Sequence, residues 1–306
     1  MRSSTRCWQP SGCRDVMGKH LARAREVFGR DTSGLLEGGR YALVHTRSLE
    51  FDDLRPYVPG DDVRDIDWKA TARSGDVLIK RFVSEKHHKI LVVADAGRNT
   101  TAQAPSTERK YDVAANIIGA IGLITLRRSD EIGMVFGDVR GCVDIRLRRG
   151  AAHIESMLHR FHRHTSTAPA ASSIVTQLDW VARHHRQPLL IVVVSDEPEI
   201  DPDLDAALAR LTARHDVMWV MVADMPAVGS ADDEDDGYDV AAGGIVMGGA
   251  QLGRQVIDAY RRAEFERREH LSEFLTVRGV PHARITGSAR IRSALTTITG
   301  VARRAG

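Results

Sequence analysis

Long hydrophobic runs, cysteine and aromatic residues are all scarce in this 306-residue chain, and each scarcity excludes something. No apolar stretch approaches the roughly 18 residues that a membrane-spanning helix needs. The best candidates, IIGAIGLI (117–124) and LLIVVVS (189–195), fall far short of that length. Near the N-terminus arginines are scattered without an apolar core, so no secretory leader is expected. Three cysteines, Cys7, Cys13 and Cys142, form no pair at metal-ligand spacing and are too few for a disulfide framework. The expectation is a cytoplasmic protein. Aromatic residues make up 5% of the chain and leave little for stacking on bases, while the basic residues stand beside acids, as in ERREH and RDIDWK. Solvated helix faces account for that pattern, and nucleic acid is not an expected partner. The net charge of +2 conceals one acidic segment, ADDEDDGYD (231–239), read as a solvated loop.

What the chain does have is alternation of two textures. KILVVAD (89–95), PLLIVVVSD (188–196) and DVMWVMVAD (216–224) are continuous apolar runs of the kind that parallel strands show when both faces are covered. Between them lie helical patterns. RKYDVAANIIGAIGLITLRRSD places Ala114, Ile117, Ile118, Ile121 and Ile124 at helical spacing, and AAHIESMLHRFHRH, SSIVTQLDWVARHH and DLDAALARLTARH follow. EIGMVFGD and VDIRLRR read as short strands, YDVAAGGIVMGG as a small hairpin, and HARIT as a last strand. Residues 255–278 predict a long amphipathic helix with Ile257, Tyr260, Ala263, Leu271 and Phe274 near one face, stopped by Gly279. The fold class is therefore α/β, a doubly wound and mostly parallel sheet. The organisation expected is a loose tail over 1–33 with one short helix, a charge-rich segment and lead-in strand over 34–87, and the main domain over 88–228. Residues 229–306, comprising the acidic loop, the hairpin and a C-terminal helical region, complete it.

Ligands of open parallel sheets gather outside the carboxyl ends of the strands. Asp95, Asp196 and Asp224 each end one of the three apolar strands, so periodicity alone lines carboxylates along one crest. Carboxylates with nearby hydroxyls suit a hard cation such as Mg²⁺ or Mn²⁺; the competing reading is that such aspartates cap the helices that follow. The first strand, long helix, strand pair and VVVSDEPE resemble the von Willebrand factor A-type fold. That resemblance implies a metal-ion-dependent adhesion site of the form Asp-x-Ser-x-Ser with a distant Thr and Asp. Asp95 takes the first position and Asp196 the last. Gly97 stands where the first serine belongs and supplies no side-chain oxygen, and Asn99 stands at the second. Thr165, Thr167, Ser172 and Ser173 are all open for the threonine position. The implied site is degenerate, with Asp95, Asn99 and Asp196 as its residues and Mg²⁺ or Mn²⁺ as its cofactor.

The stretch LRPYVPGDDVRDIDWKATARSGDVLIKRF, followed by that apolar strand, is similar to the family known as domain of unknown function 58. Members of that family combine this motif with the A-type fold and are commonly encoded beside MoxR-type AAA+ ATPases. Many of them carry an N-terminal hydrophobic hairpin, which is not expected from these residues. Read from its residues, Pro59-Gly60 suits the centre of a type II turn, and Asp61 and Asp62 can take up free backbone N–H groups. DIDWKATAR has the length of a short helix ending near Gly75. Arg55, Arg64 and Arg73 are close in sequence to Asp61, Asp62, Asp65 and Asp67 and can pair with them bidentately. Trp68 is the expected apolar anchor of the cluster. Arg55, Tyr57, Pro59, Gly60, Asp61, Asp62, Arg64, Asp67, Trp68 and Arg73 thus form a brace, or a surface held out to a partner.

The resemblance implies a non-enzymatic interaction module, an adaptor or co-chaperone of a MoxR-type AAA+ ATPase. No residue is expected to be catalytic. The alternative is a divalent-metal-dependent hydrolase using Asp95, Asp196 and Asp224. Against it, no general acid or base is identifiable beside the carboxylates. His159, His162 and His164 do not all share one helix face and lack zinc spacing, and GGIVMGG lacks the Gly-Lys-Ser/Thr ending of a phosphate loop.

Overall fold

A computed structural model describes residues 18–29, 46–58, 66–167, 169–228 and 236–304. Its core is a six-stranded sheet in which chain order and sheet order differ. The strands are β3 (Lys89–Asp95), β4 (Glu131–Asp138), β5 (Gly141–Arg148), β6 (Leu190–Ser195), β7 (Asp216–Val222) and β10 (His282–Ile285), arranged β10-β7-β6-β3-β4-β5. All neighbours run parallel except β5, which returns antiparallel along β4 as an edge. This is the doubly wound, mostly parallel sheet expected from the sequence. Two further pairs stand apart from it: β1 (Thr46–Pro56) with β2 (Leu78–His87), and the small hairpin of β8 (Gly237–Asp239) with β9 (Gly244–Val246).

The apolar runs are continuous because both faces of the sheet are covered. Along β3, Ile90, Val92 and Ala94 enter the core on one face, while Leu91 and Val93 enter the core on the other. The first face is covered by α3 (Lys110–Arg128), α4 (Ala151–Ser166), α9 (Ile291–Arg304) and the N-terminal α1 (Lys19–Phe28). The second is covered by α5 (Ile174–His184), α6 (Pro202–Thr212) and α8 (Arg254–Val277). Helix α3 is buried almost all round from Val113 to Thr125, which is why its glycines matter. A Cβ at Gly119 would lie 2.4 Å from the Cβ of Ala24 in α1, and one at Gly122 would lie 2.5 Å from Ile154 in α4. The stretch read as a loose tail therefore contains a helix that belongs to the main core, with Leu21, Ala24 and Phe28 sealed against α3.

Helix α8 buries Ile257, Leu271, Phe274 and Leu275, and the chain leaves it through Gly279 at φ +66°, the left-handed conformation expected of a terminating glycine. A short helix, α7 (Gly249–Leu252), precedes it. Among the described residues no helix is long and apolar enough to cross a membrane.

Candidate functional site

In the charge-rich motif, Pro59, Gly60, Asp61, Asp62, Arg64 and Asp65 lie outside the described residues; Arg55, Tyr57, Asp67, Trp68 and Arg73 lie within them. The helix expected near DIDWKATAR is α2 (Trp68–Ser74). Asp67 caps it, its Oδ1 accepting from Lys69 N and Ala70 N at 3.0 Å, and Gly75 closes it at φ +82°. Three bonds strap this turn to the start of β2: Tyr57 N to Val77 O, Asp67 N to Leu78 O, and Leu78 N to Thr71 Oγ1, each near 3.0 Å. The Arg55 guanidinium donates to Pro56 O at 3.3 Å.

The expected role of Trp68 is overturned. It is 67% exposed, and α2 buries no residue at all. Seven residues give the helix too little length for an apolar stripe, and the ring at its first position has no core to enter. Val58 and Val77 are exposed too, on the segments that the backbone bonds at Tyr57 and Asp67 bring alongside it.

The second site is the crest. Strands β7, β6 and β3 are neighbours, so their carboxyl ends bring Asp224, Asp196 and Asp95 to one edge, as periodicity predicts. Asp95 is 2% exposed; its Oδ1 accepts from Gly97 N at 2.9 Å, while Oδ2 is buried with no hydrogen-bond partner. Burial, and then the charge of Asp196, push its pKa up to about 6, against the Gly97 amide and the Lys110 ammonium. Asn99 donates its amide nitrogen to Asp196 Oδ2 at 2.8 Å. Burial likewise raises the pKa of Asp224, and its pairing with Lys110 opposes the rise.

Gly97 has a reason to be glycine. A Cβ there would sit 2.4 Å from Ser172 Cα and 2.6 Å from Ser172 Oγ. The loop before α5 closes over this point, with Arg98 N bonded to Ala170 O at 2.7 Å and Asn99 N to Ser172 Oγ at 3.2 Å. The hydroxyl missing from position 97 thus arrives from Ser172. Of the other three residues considered for the threonine position, Thr165 and Thr167 bond to carbonyls of α4, and Ser173 bonds to Thr176.

Lys110 was not anticipated. It opens α3, is 1% exposed, and places its ammonium against Asp224 and 3.7 Å from Asp196 Oδ2. A lysine at the start of a long helix looks in sequence like an ordinary surface charge. Next to Asp196, Glu197 is buried and bound by Arg284, by Arg267 at 2.6 Å and by Arg268 at 3.8 Å. These pairs fasten α8 and β10 to the end of β6.

The implied divalent cation can be tested against these residues. Asp95 Oδ2 and Ser172 Oγ are suitable oxygens. However, Asp196 already faces an ammonium and an amide N–H, and a fixed cation beside the carboxylates repels a second one. Among the described residues no group of three or more His, Cys, Asp or Glu is arranged to hold a metal ion. As arranged, the donor set does not fit Mg²⁺ or Mn²⁺.

The histidines of α4 divide as helical spacing requires. His159 and His162 face His20 of α1, with ring centroids 6.0 and 5.3 Å away, while His164 turns to Asp138 at 3.3 Å.

The model of the family described as "Protein of unknown function DUF58" matches residues 53–239. Uncharacterised proteins of Mycobacterium bovis and Mycobacterium tuberculosis are each 25% identical over 197 residues, 62% of this chain. The chain spans 60% of the length of these curated relatives. Among solved structures, an aerotolerance-related membrane protein from Bacteroides fragilis aligns with TM-score 0.45 and 13% identity, over 70% of this chain and 99% of its own. A von Willebrand factor type A protein from Catenulispora acidiphila aligns with TM-score 0.42 and 13% identity, over 74% of this chain and 44% of its own.

Proposed function

Since this chain belongs to the DUF58 family, we propose that it is a non-enzymatic interaction module, an adaptor or co-chaperone that works in the cytoplasm with a MoxR-type AAA+ ATPase. The ATPase comes from the family resemblance; the interaction role is supported by the molecule's own surface. The observation that carries it is the exposed Trp68, with Val58 and Val77 beside it. Exposed tryptophan gains most from being covered, because its large rigid ring costs little conformational entropy to fix, and tryptophan is over-represented among residues that dominate interface energy. The bonds from Tyr57, Asp67 and Leu78 hold this patch in place, so a partner need not order it on binding.

The test is calorimetric or surface-capture binding between the purified chain and the MoxR-type ATPase encoded in the same genome. Trp68→Ala is expected to weaken binding by about tenfold or more, equivalent to at least about 1.4 kcal/mol, with the thermal midpoint unchanged because the side chain is exposed. Unaltered affinity in Trp68→Ala would overturn the assigned surface. Absence of binding by the wild type, in the presence of ATP as well as without it, would overturn the ATPase as partner.

A further inference from the structure

We propose that the Lys110 ammonium is the resident cation of the crest: it stands where a divalent ion would otherwise be held, and removing its charge converts the crest into a Mg²⁺ or Mn²⁺ site. Three carboxylates, Asp95, Asp196 and Asp224, meet at the ends of three adjacent strands, and one buried ammonium lies against two of them. Lysine is rarely buried to 1% exposure unless its charge is satisfied, and here Asp224 and Asp196 satisfy it. The side chain is also fixed at its root. Lys110 N donates to Ala102 O at 2.9 Å, and the Gln103–Arg109 bridge holds the loop ahead of α3. The N-terminus of α3 adds its positive end to the same point. The local field is therefore that of a cation already bound.

What remains at the crest explains the second half of the proposal. Asp95 Oδ2 is buried and unpartnered. Ser172 Oγ lies against Gly97, and Asn99 needs only an amide rotation to present oxygen in place of nitrogen. With the ammonium gone, Asp95, Asp196, Ser172 and Asn99 would offer four hard oxygen donors of the type Mg²⁺ and Mn²⁺ take. The crest is thus a cation site in which the cation is covalently part of the chain. Its state does not depend on which partner the motif patch engages, so this inference and the proposed function stand or fall separately.

The experiment is titration of MgCl₂ and MnCl₂ into the full chain by calorimetry, with circular dichroism to verify folding. The variants are Lys110→Met, Lys110→Gln, Lys110→Arg and the double variant Lys110→Met with Asp95→Asn. Wild type and Lys110→Arg are expected to show no site-specific binding below about 1 mM, the weak end of protein sites for such ions. Lys110→Met and Lys110→Gln are expected to bind one ion per chain at least about tenfold more tightly than wild type, and the double variant is expected to lose it. Lys110→Gln keeps a hydrogen-bonding head group, so it covers the case in which Lys110→Met does not fold. Folding of Lys110→Met only when Mn²⁺ is added would support the proposal directly. Sub-millimolar binding by wild type that Asp95→Asn abolishes would overturn it, as would a folded Lys110→Gln that binds no ion. If both uncharged variants fail to fold, the wild-type titration alone decides, since the proposal requires it to be silent.

Discussion

Replacing Gly97 by serine would install the residue that the resemblance to the A-type metal motif implies at this position, and the structure predicts that it damages the protein. The new Cβ would lie 2.4 Å from Ser172 Cα and 2.6 Å from Ser172 N, whereas carbon atoms pack at about 3.5–4.0 Å. One segment must retreat by about 1 Å, and both are held. The loop before α5 is tied to the end of β4 by Ala170 N to Asp138 Oδ2 at 3.0 Å and Val139 N to Ala171 O at 3.0 Å. On the other side Arg98 N and Asn99 N bond to Ala170 O and Ser172 Oγ. Overpacking costs about 1–3 kcal/mol, and each hydrogen bond stretched beyond use adds about 1 kcal/mol. The total is about 2–5 kcal/mol. At about 2 °C per kcal/mol for a chain of this size, the thermal midpoint of Gly97→Ser should fall by roughly 4–10 °C, read by circular dichroism or scanning fluorimetry. Gly97→Ala should fall by a similar amount, since the clash begins at Cβ. A midpoint within about 2 °C of wild type for both variants would refute the argument, because it would show that the Ser172 loop gives way without cost.

The remaining predictions concern buried charge. Asp95 has a folded-state pKa of about 6 against an ordinary value of 3.8, so its ionised form costs stability above about pH 6, and the cost disappears as pH falls towards 4. Asp95→Asn should accordingly stabilise the protein by about 1–3 kcal/mol at pH 7, with the gain shrinking towards pH 4 in denaturant titrations. A loss of stability at pH 7 would refute this. His215 behaves in the opposite sense. Burial, with the nearby charge of Arg214, depresses its pKa from 6.5 to about 4, so it is stable while neutral, and stability is lost as pH falls from 6.5 to 4. Because it is not wholly sealed from solvent, the loss is at most about 3 kcal/mol. His215→Leu in the Asp95→Asn background should flatten that limb of the pH–stability curve, and an unchanged slope would count against the assignment. Glu197→Gln leaves Arg284 without its buried carboxylate, while Arg267 and Arg268 keep Glu264, and should cost about 1–3 kcal/mol in equilibrium unfolding; a change under about 0.5 kcal/mol would show that solvent already screens the cluster.

Much of the architecture was readable along the chain because each of its signals is local. A strand covered on both faces must be apolar at every position, so 89–95, 190–195 and 216–222 stand out, and the aspartates that follow them fall on one crest whatever the details of packing. Capping is local too: Asp67 before Trp68 and Gly279 after α8 do what their residue types suggest. Strand β1 lacks such a signal, whereas α9 has one, since Ile291, Leu295 and Ile298 recur at helical spacing and are buried. In α1 only the short helix was legible, since its burial depends on Gly119 of α3 leaving room for Ala24.

The candidate sites show the same division more sharply. The sequence by itself determined that Asp95, Asp196 and Asp224 share a crest and that position 97 has no side-chain oxygen. Only the tertiary structure decided which hydroxyl reaches that position, that Trp68 faces solvent, and that Lys110 is buried among carboxylates instead of solvated. The physical reason is that burial and charge pairing are properties of a place in space. Ser172 and Lys110 lie far along the chain from Gly97 and Asp196, and no periodicity connects them. Their meeting is set by how α3 and the loop before α5 pack over the strand ends, and the energy of a buried charge depends on that packing alone.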